Sequence, residues 1–111
     1  MRTEESVTNY FAPIWNDKFT KEADLLAKTL EFLNMLPHTK VVRIEAGVKS
    51  GIADLLVCHY GCFVAIELKD DIGVPSKQQL KFIEDIKDAG GHGAVCRTLA
   101  EVYKILKDSW R

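Results

Sequence analysis

The sequence predicts an α/β domain with element order αβββαβα. Three observations predict it. Two amphipathic stretches, near residues 20–36 and 76–89, carry apolar side chains at helical spacing and are bounded by caps or breakers. Between them, apolar side chains recur at strand spacing in segments interrupted by glycine. A last short apolar segment, "HGAVCRT", precedes a third helical stripe.

Composition bounds the classes open to it. With 111 residues, 47% of them hydrophobic, the chain suits one domain over 1–111 with a modest core. Its formal net charge is −1, so bulk charge does not argue for a nucleic-acid partner and any basic surface is local. No apolar run is long enough for a membrane span, and "MRTEESVTNYFAPIW" lacks a secretory pattern. The expectation is no membrane and a cytoplasmic location. Three cysteines in no CxxC pair argue against a disulfide framework, and the spacing of Cys58, His59, Cys62 and His92 matches no common zinc pattern.

The elements follow in order. Residues 1–19 carry Tyr10, Phe11, Ile14, Trp15 and Phe19 around a break at Pro13, and pack either on the domain or on a second copy as part of a dimer contact. The first helix runs from Thr20, its expected N-cap, to Leu36 before Pro37. Its buried stripe is Leu26, Leu30 and Leu33 with Leu25 and Leu36 at the edge, and Glu22 tops that stripe. "KVVRIEAG" is the first strand, and residues 47–51 are a loop. Ile52–Cys58 and Cys62–Leu68 are the next two strands, joined around Tyr60-Gly61. The second helix follows Pro75, is capped by Ser76 and ends at Gly90-Gly91, with Phe82, Ile83 and Ile86 as core. A fourth strand precedes the last helix. There Thr98 and Glu101 predict a capping box, with Leu99, Val102, Ile105 and Leu106 as the buried face.

The hairpin concentrates charge. A two-residue loop at Tyr60-Gly61 sets His59 opposite Cys62, and a four-residue loop from His59 to Cys62 gives the same register. Either puts Asp54 opposite Glu67 with Lys69 on the same face, whereas a three-residue loop, equally open to this sequence, breaks the alignment. The other face pairs Ala53 with Leu68, Leu55 with Ile66 and Val57 with Val64. Two carboxylates at ~5 Å repel by about 3 kcal/mol at an effective dielectric of about 20. Lys69 offsets part of this and a divalent cation offsets more, with hard oxygen ligands suiting Mg²⁺ or Mn²⁺. The plainer alternative is a solvated strand face with a surface ion pair.

The series Gly51-Ile52-Ala53-Asp54, Glu67-Leu68-Lys69 and Ser76-Lys77-Gln78-Gln79 resembles the PD-(D/E)XK nuclease superfamily. Within it the chain looks like the VRR-NUC family, including short stand-alone versions from phages and bacteria, over roughly residues 21–108. The resemblance implies a restriction-endonuclease-like fold, a central mixed sheet of about four strands flanked by helices. It implies Asp54 and Glu67 as ligands of Mg²⁺ or Mn²⁺, with the Leu68 backbone carbonyl and Glu22 as further ligands. Lys69 would position or activate water or stabilise the phosphate, and Gln79 would orient Lys69 or touch substrate. Ser76-x-x-Gln79 is equally a capping box. Ala53 stands where the family often has Pro, which affects strand entry and carries no ligand.

Stand-alone members of the family resemble Holliday junction resolvases in size and layout. That implies a metal-dependent endonuclease cutting branched DNA as a homodimer in a bacterial or phage-infected cell. Arg43, Lys49, Lys77 and Arg97 are the candidate phosphate contacts. The alternatives are a nuclease of flaps, ends or a short sequence, and a non-catalytic DNA-binding module of the same fold.

Overall fold

A computed structural model describes residues 2–45 and 51–110. The loop expected at 47–51, and with it Lys49, falls outside the described residues except for Gly51.

The chain opens with a helix that the sequence reading left unassigned. Helix α1 spans Glu4–Phe11, with Thr3 and Ser6 closing a reciprocal cap at its start. It buries Val7 and Phe11, and a 3₁₀ turn at Ala12–Ile14 follows, set by Pro13. The N-terminal segment thus packs on its own chain. Phe11 and Trp15 meet the Phe32 ring edge-on at 5.4 and 5.5 Å, and Trp15 meets Tyr103 at 5.4 Å. The Tyr103 hydroxyl donates to Glu4 Oε2 at 2.5 Å, and Lys107 Nζ lies 3.2 Å from the same oxygen.

Helix α2 spans Glu22–Met35, so Thr20 is not its cap. Lys21 occupies the N-cap in an extended conformation and makes no side-chain cap. Just upstream, the Phe19 carbonyl accepts the Asp71 N–H at 2.9 Å, which fastens this part of the chain to the loop after the third strand. The buried stripe is Leu25, Thr29, Phe32 and Leu33, with Leu36 just beyond the helix. Leu26 and Leu30 flank it half-buried, because the Phe32 ring, and not Leu30, centres the packing against α1 and the helix carrying Tyr103.

Four strands form one sheet in the order β1-β2-β3-β4. Strand β1 is Thr39–Arg43, shorter than expected, and pairs antiparallel with β2, Leu55–His59. Strand β3, Cys62–Leu68, pairs antiparallel with β2 in the expected register, Leu55 opposite Ile66 and His59 opposite Cys62. Tyr60 and Gly61 at the turn have φ of 50° and 81°, the left-handed pair that a two-residue hairpin requires. Tyr60 is stacked between His38 and Trp110, at 4.8 and 4.4 Å. Strand β4, His92–Cys96, lies parallel to β3 and makes the sheet mixed.

Helix α3, Lys77–Asp88, joins β3 to β4, and helix α4, Leu99–Ser109, closes the chain. Leu55, Val57, Val64, Ile66 and Leu68 share one core with side chains from α1, α2 and α4. The other face of the sheet meets α3, whose Ile83 packs so near Gly93 that a Cβ there would lie 3.1 Å from it. Phe82 and Ile86, expected in the core, are only half-buried, and of the three expected side chains only Ile83 is buried. At α4 half of the expected box forms. Thr98 accepts the Glu101 N–H, but the Glu101 carboxylate takes the Arg97 N–H at 2.6 Å instead of the Thr98 N–H.

Candidate active site

Strand β3 delivers Glu67 to the face covered by α3, between β2 and Val95 of β4. The paired neighbours on both sides close it off completely, at 0% exposure. No hydrogen bond reaches either carboxylate oxygen. Lys69 Nζ lies 3.1 Å from Oε2, close enough for an ion pair but without hydrogen-bond alignment. A buried carboxylate with open lone pairs is costly unless a cation meets it.

Asp54 precedes β2, one step past the ladder pair Leu55–Ile66 and therefore level with Glu67. β2 begins at Leu55 instead of Ile52 because here a side chain replaces the backbone ladder. Asp54 Oδ2 accepts the Leu68 N–H at 2.7 Å. On its other side the Asp54 carbonyl accepts the Ile44 N–H at 2.9 Å. Both bonds fix the carboxylate beside the Glu67–Leu68 peptide.

Lys69 follows β3, its N–H held by the Cys96 carbonyl at 3.1 Å. Its ammonium also faces Glu22, the first residue of α2, at 3.6 Å. Two carboxylates, Glu67 and Glu22, thus share one amine, and the charge of Asp54 acts on it from farther away. Burial and then the charge of Asp54 push Glu67 up from 4.5 to about 7, against the pull of Lys69. For Lys69, burial works against the charged form, but Glu67, Glu22 and Asp54 outweigh it and hold its pKa above the ordinary lysine value.

Gln79 is placed as a helix cap. Its Oε1 accepts the Ser76 N–H at 2.9 Å while Ser76 Oγ accepts the Gln79 N–H at 3.1 Å. Lys77 is exposed at the first position of α3. Arg43 is exposed at the end of β1, 4.0 Å from Glu45, and is not gathered into the cluster. Arg97 donates to the Asp70 carbonyl at 2.6 Å. Among the described residues no group of three or more His, Cys, Asp or Glu converges as a metal cage, and Cys58 and His59 emerge on opposite faces of β2.

Asp70, which the sequence analysis does not single out, braces the loop beside the cluster. Its Oδ1 accepts the N–H groups of Ile72 and Gly73, at 3.1 and 2.7 Å, and folds the loop back beside Lys69. Asp-x-x-Gly directly after a strand was the available signal.

No protein-family model matches the sequence, and no curated protein matches it. Two solved structures resemble the chain. One, described as "VRR_NUC domain protein", is 19% identical at a TM-score of 0.49, over 97% of this chain and 88% of its own. The other, described as "VRR_NUC domain", is 26% identical at a TM-score of 0.66, over 82% of this chain and 99% of its own. A fold shared at that level over 82% of this chain and 99% of that domain supports the VRR-NUC family, a family of nuclease-type domains, for this chain.

Proposed function

We propose that the protein is a divalent-metal-dependent DNA endonuclease acting on branched DNA, such as Holliday junctions, as a homodimer. The observation that carries the reading is Glu67, fully buried, without a hydrogen bond, and level with a second carboxylate.

This donor set fits Mg²⁺ or Mn²⁺. Mg²⁺ takes one or two protein carboxylates and fills its remaining positions with waters and substrate phosphate oxygens, so a complete protein cage is not required. Asp54 and Glu67 would hold the ion with the Leu68 carbonyl, and Glu22 would reach it directly or through water. Bound there, a divalent ion supplies a nucleophile at neutral pH and neutralises phosphate charge.

The chain's own groups do the rest. Asp54 is pinned through Oδ2 by the Leu68 N–H, and its other oxygen would be the metal ligand. Lys69 stays an ammonium among carboxylates and presents positive charge to a phosphate oxygen as negative charge builds there. Gln79, with its oxygen committed to the cap, offers its amide N–H groups to substrate from the start of α3. Lys77, Arg43 and Lys49 are the proposed phosphate contacts. Each chain carries one such cluster, so cutting both strands of a branch needs two copies related by a twofold axis. Work on such DNA suits the cytoplasm of a bacterial or phage-infected cell.

The test is cleavage of duplex, flap and four-way-junction DNA with Mg²⁺, Mn²⁺ or EDTA. Junctions should be cut best, and only with metal. Lys69→Ala should lower kcat by about 10²–10³ while junction binding persists. Preference for flaps, ends or one sequence would redirect the substrate assignment. Junction binding without any cutting would make the protein a binding module.

A further inference from the structure

The loop between β3 and α3 exposes two aliphatic side chains where a surface loop ordinarily carries polar ones. Ile72 is 84% exposed and Val74 80%, the largest values among the exposed large hydrophobics. Nothing about this loop is loose at its base. Asp70 Oδ1 accepts two of its backbone N–H groups, Arg97 Nη1 donates to the Asp70 carbonyl at 2.6 Å, and the Asp71 N–H is held by the Phe19 carbonyl at 2.9 Å. Gly73, between the two aliphatic residues, sits against the Lys69 stem. A Cβ added to it would lie 3.3 Å from Lys69 Cδ and 3.0 Å from Asp70 Oδ1. The fold therefore braces the base of this apolar tip against the Lys69 side chain of the candidate site.

Water-exposed β-branched side chains on a braced loop gain free energy when an apolar surface covers them. Beside a phosphodiester-cleaving cluster, the apolar surface within reach is the face of a nucleobase. We infer that Ile72 and Val74 form a wedge that inserts into a disrupted base step next to the scissile phosphate, and so select branched over continuous DNA. Aliphatic wedges enter duplexes by unstacking a step and kinking the helix. Unstacking costs free energy in a continuous duplex and much less where a mismatch or single-stranded segment has already broken the stack, as a branch does. This inference rests on the nuclease reading and adds its source of substrate choice.

The test compares wild type with the double variant Ile72→Ser, Val74→Ser. Both side chains stand in solvent, so its thermal midpoint should match wild type and confirm the fold. The ratio of kcat/KM on a four-way junction to that on continuous duplex should fall by about 10- to 100-fold, the scale of one or two aliphatic side chains losing their burial. A junction carrying 2-aminopurine at its centre should brighten on binding wild type in EDTA and stay dim with the variant. If wild type cuts DNA and the variant keeps its junction-to-duplex ratio, the wedge is wrong and the nuclease reading stands. If wild type cuts nothing with Mg²⁺ or Mn²⁺, the nuclease reading falls and the wedge with it. A variant that sediments as a smaller species than wild type would assign the tip to self-association and overturn the inference.

Discussion

Replacing Glu67 with glutamine should make the metal-free protein more stable while removing its response to metal. The substitution keeps the side chain's size and removes its charge. Glu67 titrates near 4.5 when unfolded and is raised to about 7 in the fold by burial and by Asp54. The folded state therefore holds a proton that the unfolded chain releases. Stability is complete below pH 4.5 and is lost as pH rises through about 7. At about 1.4 kcal/mol per pH unit, the loss at pH 8 is about 3 kcal/mol. Glutamine escapes it, less whatever the Lys69 ion pair contributed. Urea denaturation in EDTA should show Glu67→Gln more stable than wild type by about 2–3 kcal/mol at pH 8 and by less than about 1 kcal/mol at pH 5. In a melting experiment at pH 8 this is a rise on the order of 10 °C. A variant less stable than wild type at pH 8, or shifted equally at both pH values, would refute the idea that the fold strains to keep this carboxylate charged.

Three further outcomes follow from the geometry. Mg²⁺ should raise the wild-type melting midpoint more at pH 8 than at pH 6, because protons compete for Glu67, and scanning fluorimetry with and without EDTA checks this. Phe11→Ala should cost about 3–5 kcal/mol by urea denaturation, since Phe11 is 2% exposed and packs on Phe32. A cost under about 1 kcal/mol would mean that α1 is peripheral. Gly51→Ala should cost about 1–3 kcal/mol, because Gly51 has a φ of 80° and its new Cβ would lie 2.8 Å from Gln78 Cβ; urea midpoints of the two proteins measure it.

The sequence carried the hairpin best. Period-two alternation and the Tyr60-Gly61 turn determine which residues oppose one another, and the register from Leu55–Ile66 to His59–Cys62 is the one they predict. The charged face was legible for the same reason. Its burial was not. Glu67 is sealed because β4 runs parallel along β3, a pairing between residues far apart in the chain that no local pattern encodes. Helix α1 escaped notice because its cap uses Ser6 where Glu or Gln is the usual signal, and because Pro13 read as a break when it only starts a 3₁₀ turn. The α2 stripe was misplaced because leucine spacing alone did not weigh Phe32, whose ring meets three aromatic partners from distant segments. At Gln79 the letters Ser-x-x-Gln stated the cap openly, and the structure forms it.

Glu4 reaches across to Tyr103 and Lys107, residues 99 and 103 positions away. During synthesis on the ribosome that clasp cannot close until α4 has been made, and Phe32 meanwhile lacks its Tyr103 neighbour. The β2–β3 pairing, by contrast, needs only residues 55–68 and can close before β4 is made. Nascent chains should therefore pass through a stage with the β2–β3 ribbon zipped and an aromatic nest still open on one side, the stage at which a chaperone would find something to hold.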